Sequence, residues 1–581
     1  MNSKILLQRR LVLLLSLITF GLVALLGRLF YIQVWARHDL HGRDLVEAAV
    51  AQRRETFEID SGRGDILDRN GESLTGSRLR GVLVMPLWQG EIDPAKVDEL
   101  ASILQANPEE VQTALRNINR PTLLRLPSAN GKPQIVELTE QQAERIDRLQ
   151  FPGVYAKQVK VRYDEHSLAR HVIGFIGQDP DLVRNAFGGK YALDEKVGKL
   201  GLEFLFQEDL RGLGRGKTIS YFTDAEGRPV NGLGIRMTDE ENRALSVKTT
   251  LHRNVQKAVE AAMDKYGLQK GAVVVLDAKT EDILAMASRP QYDQNALVKQ
   301  AEYPVNRAIQ ANFPGSVFKT VIAAAALEKG VVHAGDVYTC PGYLEIGEGR
   351  LNCWTEHGRI TAEQGFAQSC NVVFASLAMK LGRPAIEEYA KKLGLGQPAT
   401  DPVDGKPQFD REDPGRIFAK NETSWRLLAN TGIGQEDVRI SPLQAAHLMA
   451  VIANNGKAGK PRLVQELVTS SDGMLYKSFP PGEKRMALEP ATVNELKRWM
   501  TQVVASPKGT AHSLSSVKVS VAGKTGTAQT GQPNAYHHWF AGYAPADQPK
   551  YAIAVLAEDV TDGAGSQLVQ SVAKEIVDRL F

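Results

Sequence analysis

The sequence predicts an α+β protein tethered to a membrane by one N-terminal helix, and three observations carry that prediction. Residues 11–27 form a run without charge, preceded by Lys4, Arg9 and Arg10. Residues 38–240 are mixed and loop-rich, with several short helical and extended segments. From about Leu245 the composition shifts, and strand-like segments stand at both ends of the remaining chain with helical segments between them. One α+β domain assembles its sheet from distant pieces in that way. At 581 residues the chain is too long for a single ordinary domain. An apolar fraction of 43% and a charged fraction of 24% describe globular material. The net charge of +3 gives no reason to expect nucleic acid, and no motif that reads it is present.

The apolar run comes first. Its 17 residues sit near the lower limit for a helix across ~30 Å of hydrocarbon. Residues 29–35 then extend the apolar character into an aromatic flank suited to a membrane interface. A transmembrane anchor over 11–34 is expected. A cleaved signal peptide fits less well, because Ala49-Val50-Ala51 stands about twenty residues too far downstream. The basic residues at the start put residues 1–10 in the cytoplasm and the chain after the anchor outside. Three cysteines suit that location. Cys340 and Cys353 are close enough for a small disulfide loop that leaves Cys370 over, and two unpaired, partly buried thiols are the other reading.

The segment over 38–240 includes Arg63-Gly64-Asp65-Ile66-Leu67-Asp68-Arg69-Asn70-Gly71, in which Asn-Gly marks a tight turn between short extended runs. A calcium loop fits poorly: with Gly71 at its sixth position, Ile66 falls where the first carboxylate belongs. Residues 94–117 and 139–149 carry helical spacing, and 198–204 lead into a helix ending near Arg211-Gly212. No cluster here looks catalytic, so a structural or interaction role is expected. In the C-terminal part, 246–250 read as a strand, 252–265 as an amphipathic helix, and 271–277 with 283–287 as a hairpin. Strands follow at 517–522, 538–544 and 551–558, with a closing helix over 566–580.

The chemistry centres on Phe313-Pro314-Gly315-Ser316-Val317-Phe318-Lys319, which runs into an alanine-rich helix stopped by Gly330. Ser316 and Lys319 lie three apart and share one face at the helix start, a nucleophile beside an amine able to take its proton. Ser515 with Lys518 and Ser571 with Lys574 match the same weak pattern. Two further motifs separate them. Ser369-Cys370-Asn371 falls in a helical region over 363–381, whereas the similar Ser128-Ala129-Asn130 sits in a turn. Gly523-Lys524-Thr525-Gly526-Thr527 follows the expected 517–522 strand. A phosphate-binding loop would need glycine at Lys518 and a helix directly afterwards. A strand edge suits the motif better, since glycine lets a substrate backbone approach closely.

In this order, Ser-x-x-Lys, Ser-x-Asn and Lys-Thr-Gly resemble the penicillin-binding proteins and serine β-lactamases. The chain is similar to class B penicillin-binding proteins over nearly its whole length, through 63–71, 198–212, 271–295, 313–319, 353–374, 434–435, 441–444, 522–529 and 539–543. Two places depart: His252 stands where many relatives carry aspartate, and Glu281-Asp282 where they carry Gly-Glu.

The resemblance implies an elongated mixed α/β pedestal, or dimerisation, domain over 38–240. It implies a transpeptidase domain over 245–581 with a five-stranded antiparallel sheet flanked by helices. It further implies a serine-type D,D-transpeptidase that cross-links peptidoglycan stem peptides, is acylated by β-lactams and uses no cofactor. Ser316 would attack, Lys319 would take its proton with Lys524 as a second cation nearby, Ser369 would relay the proton, and Asn371 would hold a substrate amide. Thr525, Gly526 and Thr527 would bind the terminal carboxylate end, and the amides of Ser316 and Thr527 would hold the oxyanion. No metal is implied: His-Glu-x-x-His is missing, and His537-His538 reads as alternation across a strand. Expected partners are membrane lipid through the one helix, a polytopic glycosyltransferase and other wall-synthesis proteins in a bacterial cell membrane. A β-lactam-hydrolysing or β-lactam-sensing protein would share the site but lack the pedestal. An inactive scaffold would tolerate the loss of Ser316 or Lys319, and both are present.

Overall fold

The computed structural model describes residues 2–31, 54–86, 92–128, 131, 133–164, 166–214, 216–223, 235–240, 242–296, 303–419, 424–561 and 563–581. Residues 32–34 of the expected anchor, 49–51 and 129–130 lie outside these. Asn2–Phe30 is a single helix. Its portion Arg9–Phe30 is long and apolar enough to cross a membrane and buries nothing against the rest of the chain. At 1.5 Å per residue, 22 residues reach about 33 Å, which matches the ~30 Å hydrocarbon layer.

The chain divides into two compact units that interleave in sequence. The first holds Met1–Gly62, Arg78–Val161 and Gly214–Asn242. It contains an antiparallel sheet of Arg54–Asp60, Gly216–Phe222 and Arg236–Glu240. Helices Pro94–Leu104, Pro108–Arg116 and Glu140–Leu149 start at capped ends: Asp93 and Asn107 precede prolines, and Thr139 with Gln142 forms a capping box. Each such cap contributes about 1 kcal/mol. Val97, Leu100, Val111, Leu115 and Ile146 project from these helices into one apolar core with Val82 and Val84.

The second unit holds Arg63–Ser77, Arg162–Leu213 and Arg243–Phe581. Its early pieces explain two segments that the sequence singled out. Ile66–Leu67 pairs in parallel with Leu245–Thr249, and Asp68 Oδ1 accepts from the amides of Asn70 and Glu72 to shape the Asn-Gly turn. Glu203, fully buried, accepts from Arg63 Nε at 2.8 Å, Arg162 Nε at 2.5 Å and Tyr163 Oη at 2.7 Å. Removing one partner from such a buried ion network costs about 3–5 kcal/mol.

The main sheet has five antiparallel strands: β1 (Gly271–Asp277), β2 (Ile283–Arg289), β3 (Ala522–Gln529), β4 (Tyr536–Ala544) and β5 (Tyr551–Val560). Their order is β2-β1-β5-β4-β3, so the strand carrying Lys-Thr-Gly is an edge. Both faces are covered by helices, which is why β1 and β2 read as continuous apolar runs. Helices α1 (Arg253–Lys265) and α6 (Gly565–Leu580) pack against the sheet, as does the wholly buried α5 (Pro442–Ala453). Between them in sequence come α2 (Lys319–Glu328), α3 (Ala362–Ala367) and α4 (Asn371–Lys392).

Two expected elements fall differently. The strand expected over 517–522 begins only at Ala522, so Lys524 to Thr527 lie inside it. The alternating valines at 517, 519 and 521 mimic a strand, but the chain there is tied to side chains instead: Lys518 Nζ donates to Asp578 O, and Ser520 Oγ to Asp547. Full-length pairing with β4 makes a strand of the glycine-rich motif despite its poor propensity. The helical region over 363–381 breaks at Ser369-Cys370, between α3 and α4.

Candidate active site

Ser316 lies in a 3-10 turn, Gly315–Phe318, that leads into α2. This tight turn stacks positions three apart, which puts Ser316 over Lys319. Backbone packing fixes the turn. Gly315 has φ 52°, and a Cβ on it would fall 2.4 Å from Thr527 O. Its amide donates to Gly434 O at 3.0 Å, and a Cβ on Gly434 would fall 1.9 Å from Gly315 O. Gly526 faces the same loop, with room for no side chain beside Pro314 O. Trp539 Nε1 donates to Phe313 O at 2.8 Å. The nucleophile turn and the Lys-Thr-Gly strand are thereby pressed backbone to backbone.

Lys319 is completely buried. Its Nζ donates to Ser369 O at 2.7 Å, Ser369 Oγ at 3.3 Å and Asn371 Oδ1 at 2.8 Å, which uses all three ammonium donors. Burial lowers its pKa to about 8. Roughly one amine in ten is then neutral at pH 7. Lys524 is equally buried and donates to Thr525 O at 3.2 Å. Burial, and then the charge of Lys319, hold it well below the ordinary lysine range. Lys319's own downward shift comes from burial.

Ser369 occupies the break between α3 and α4 at φ 57°, a left-handed conformation costing a serine about 1–2 kcal/mol. The next amide returns to Gly365 O at 2.7 Å. Asn371 donates from Nδ2 to Asn352 O at 3.1 Å. Ser316, Ser369, Asn371, Thr525 and Thr527 line one cleft of about 850 Å³. Lys518 and Lys574 are engaged elsewhere, with Asp578 and Ser516, and neither rival Ser-x-x-Lys pair lines the cleft.

Sequence reasoning missed Thr510, whose Oγ1 lies 2.6 Å from Thr525 Oγ1. It left the cysteines open between a bridge and unpaired thiols, and the structure has the thiols unpaired. No Cys340–Cys353 bridge is formed; all three thiols are free, and Cys370 is not left over. Cys340, Cys353, His357 and Cys370 bring their ligand atoms within 4.8 Å of one another. Cys353 and Cys370 sulfurs lie 4.0 Å apart, and His357 Nδ1 stands 3.5 Å from both Cys340 and Cys353. Zinc at 2.3 Å from sulfur and 2.0–2.1 Å from nitrogen would need tetrahedral edges of roughly 3.8 and 3.6 Å. The donor types, and the three separations of 3.5, 3.5 and 4.0 Å, suit a closed zinc site, which the sequence reading did not include. The hydrogen bond with Cys370 holds the Cys353 thiol far below the ordinary range and raises Cys370. Asn371's amide donates to Cys353 Sγ at 3.2 Å, so this cluster is the scaffold of the Ser-x-Asn turn. The short Cys353-x-x-x-His357 spacing was its only local signal.

The family model described as penicillin binding protein transpeptidase domain matches residues 271–578, and that for the penicillin-binding protein dimerisation domain matches 58–242. The chain belongs to the penicillin-binding proteins. Carrying both domains, it is of their class B. It is 28% identical over 567 residues to stage V sporulation protein D of Bacillus subtilis, across 94% of this chain and 81% of that protein. It is 28% identical over 575 residues to the peptidoglycan D,D-transpeptidase MrdA of Escherichia coli K12, across 90% and 87%. The peptidoglycan D,D-transpeptidase PbpA of Mycobacterium tuberculosis is 31% identical over 375 residues, 59% of this chain and 73% of that one.

Proposed function

We propose that this chain is a peptidoglycan D,D-transpeptidase working through an acyl-enzyme on Ser316. One observation carries the assignment: a buried amine, Lys319, one tight turn from Ser316, is hydrogen-bonded to both members of the Ser-x-Asn motif. In its neutral form Lys319 takes the proton of Ser316 as Oγ bonds to the carbonyl carbon of the penultimate D-alanine. The C–N bond to the terminal D-alanine then breaks, and its nitrogen receives the proton through Ser369. An amine of a second stem peptide attacks the ester, forms the cross-link and returns the proton to Ser316. A β-lactam enters the same sequence by opening of its ring amide. Amides of Ser316 and Thr527 hold the oxyanion, each commonly contributing ~3–4 kcal/mol. Asn371 holds a substrate amide, and Thr525, Gly526 and Thr527 receive the terminal carboxylate above Lys524.

Residues 1–10 stay cytoplasmic, 11–34 anchor the chain in membrane lipid, and the segments over 38–240 and 245–581 work outside. The 38–240 segment offers the surface for a polytopic glycosyltransferase and other wall-synthesis proteins. Fluorescent penicillin should label the full chain in detergent, and Ser316→Ala should abolish labelling. Undiminished labelling of that variant would sink the acyl-enzyme assignment.

A further inference from the structure

Among the described residues, His538 is the histidine that hydrogen-bonds a threonine lining the cleft, Thr527. On β4 it stands directly opposite Thr527 of β3, with Nδ1 3.4 Å from Thr527 Oγ1. Thr527 is exposed in the cleft, whereas His538 is 5% exposed. The imidazole lies against the first residue of α6. A Cβ on Gly565 would fall 2.1 Å from ring Cδ2, and Gly565 keeps a φ open to any residue, so glycine is there for the ring's space. Tyr536, on the same strand face, stands 6.2 Å from the imidazole by ring centroids. The neighbouring His537 faces the opposite side, where its Nδ1 accepts from the Asp559 amide at 3.3 Å. The pair that the sequence read as simple alternation thus has two different environments.

A threonine hydroxyl has one proton to donate and lone pairs to accept. If His538 Nδ1 carries hydrogen, it donates to Thr527 Oγ1 and leaves the Thr527 proton free for a ligand oxygen. If Nδ1 is bare, the Thr527 proton points at it, and the hydroxyl meets an incoming carboxylate with a lone pair. We infer that His538 is a positioning residue that commits the Thr527 hydroxyl to the substrate's terminal carboxylate, and so sets how strongly the enzyme prefers acyl donors that carry one. The inference rests on Thr527 being the carboxylate contact.

The test compares second-order acylation rates of the full chain by benzylpenicillin and by its methyl ester, whose carboxylate is masked. His538→Leu should slow the acid roughly tenfold, the loss of one hydrogen bond serving a charged group. It should leave the ester rate within about twofold, a measure that also certifies folding. His538→Asn, which keeps a donor near Nδ1, should restore the acid rate. Equal slowing of acid and ester, or an unchanged acid rate, would overturn the inference. Thr527→Val separates the two layers. If it abolishes the acid preference while His538→Leu does not, only the role of His538 falls. If Thr527→Val itself leaves the preference intact, the carboxylate assignment falls and takes this inference with it.

Discussion

The nucleophile turn and the Ser-x-Asn turn reach the same cleft by opposite means. Around Ser316, glycines let three stretches of backbone touch: Gly315 meets Thr527, and Gly434 meets Gly315. Around Ser369, side chains do the holding. The Lys319 amine binds Ser369 in the left-handed break and Asn371 just after it, and Asn371 is held further by the Cys353 sulfur and, through its side-chain amide, by Asn352 O. A turn fixed by backbone contact tolerates almost no added atom, while one fixed by polar side chains depends on their protonation or metal state. The two turns should therefore fail differently when perturbed.

The largest effect should come from the residue that joins them. Lys319→Ala removes the base and the anchor of Ser369 and Asn371 together, and should lower acylation by about 10²–10⁴-fold. In the intact enzyme the pKa of about 8 sets the sign of the pH dependence. The reactive form is the neutral amine, so acylation should rise with pH and level off above about 8, as stopped-flow acylation rates would reveal. A rate that falls over pH 6–8 would contradict Lys319 as the base.

Next is Gly434→Ala. It adds a methyl 1.9 Å from Gly315 O at a φ of 72°, so the nucleophile turn must shift. Displacements of about 1 Å cost on the order of 10²-fold in rate. Acylation should fall by that order with the zinc content and Ser-x-Asn turn intact. A nearly normal rate would mean the backbone packing has slack.

The Ser-x-Asn turn should respond to metal instead. Elemental analysis of the purified chain should find about one zinc bound by Cys340, Cys353, His357 and Cys370. Chelation, or Cys353→Ser, should reduce acylation about 10–100-fold, the range seen for groups that orient ligands from behind. Full activity in zinc-free protein would reduce the cluster to four packed side chains.

The same contrast decides what could be read in advance. Ser316, Lys319 and the glycines around them are near neighbours or single-residue signals, and β1, β2 and β5 announce themselves as apolar runs. The four-residue metal set spans residues 340–370 with only one short spacing, and its members meet because Ser369 turns the chain back. The strand bearing Lys524 was misplaced by five residues, 517 against 522, because its own letters have poor strand propensity and only pairing with β4 makes it one. His538 read as alternation, since nothing local says which face α6 covers.

The smallest expected effect joins the two turns again. Thr510 takes its amide's partner from Ala367 O, at the end of α3, while its hydroxyl lies 2.6 Å from Thr525 Oγ1 on β3. One residue thus ties the helix before Ser369 to the strand beside Lys524. Thr510→Val keeps shape and backbone but deletes the hydroxyl, and a single neutral hydrogen bond contributes about 1 kcal/mol. Acylation should fall about fivefold, with thermal stability little changed, and Thr510→Ser should recover the rate. Equal losses in the serine and valine variants would point to packing of the methyl group, not the hydroxyl, as the link between the turns.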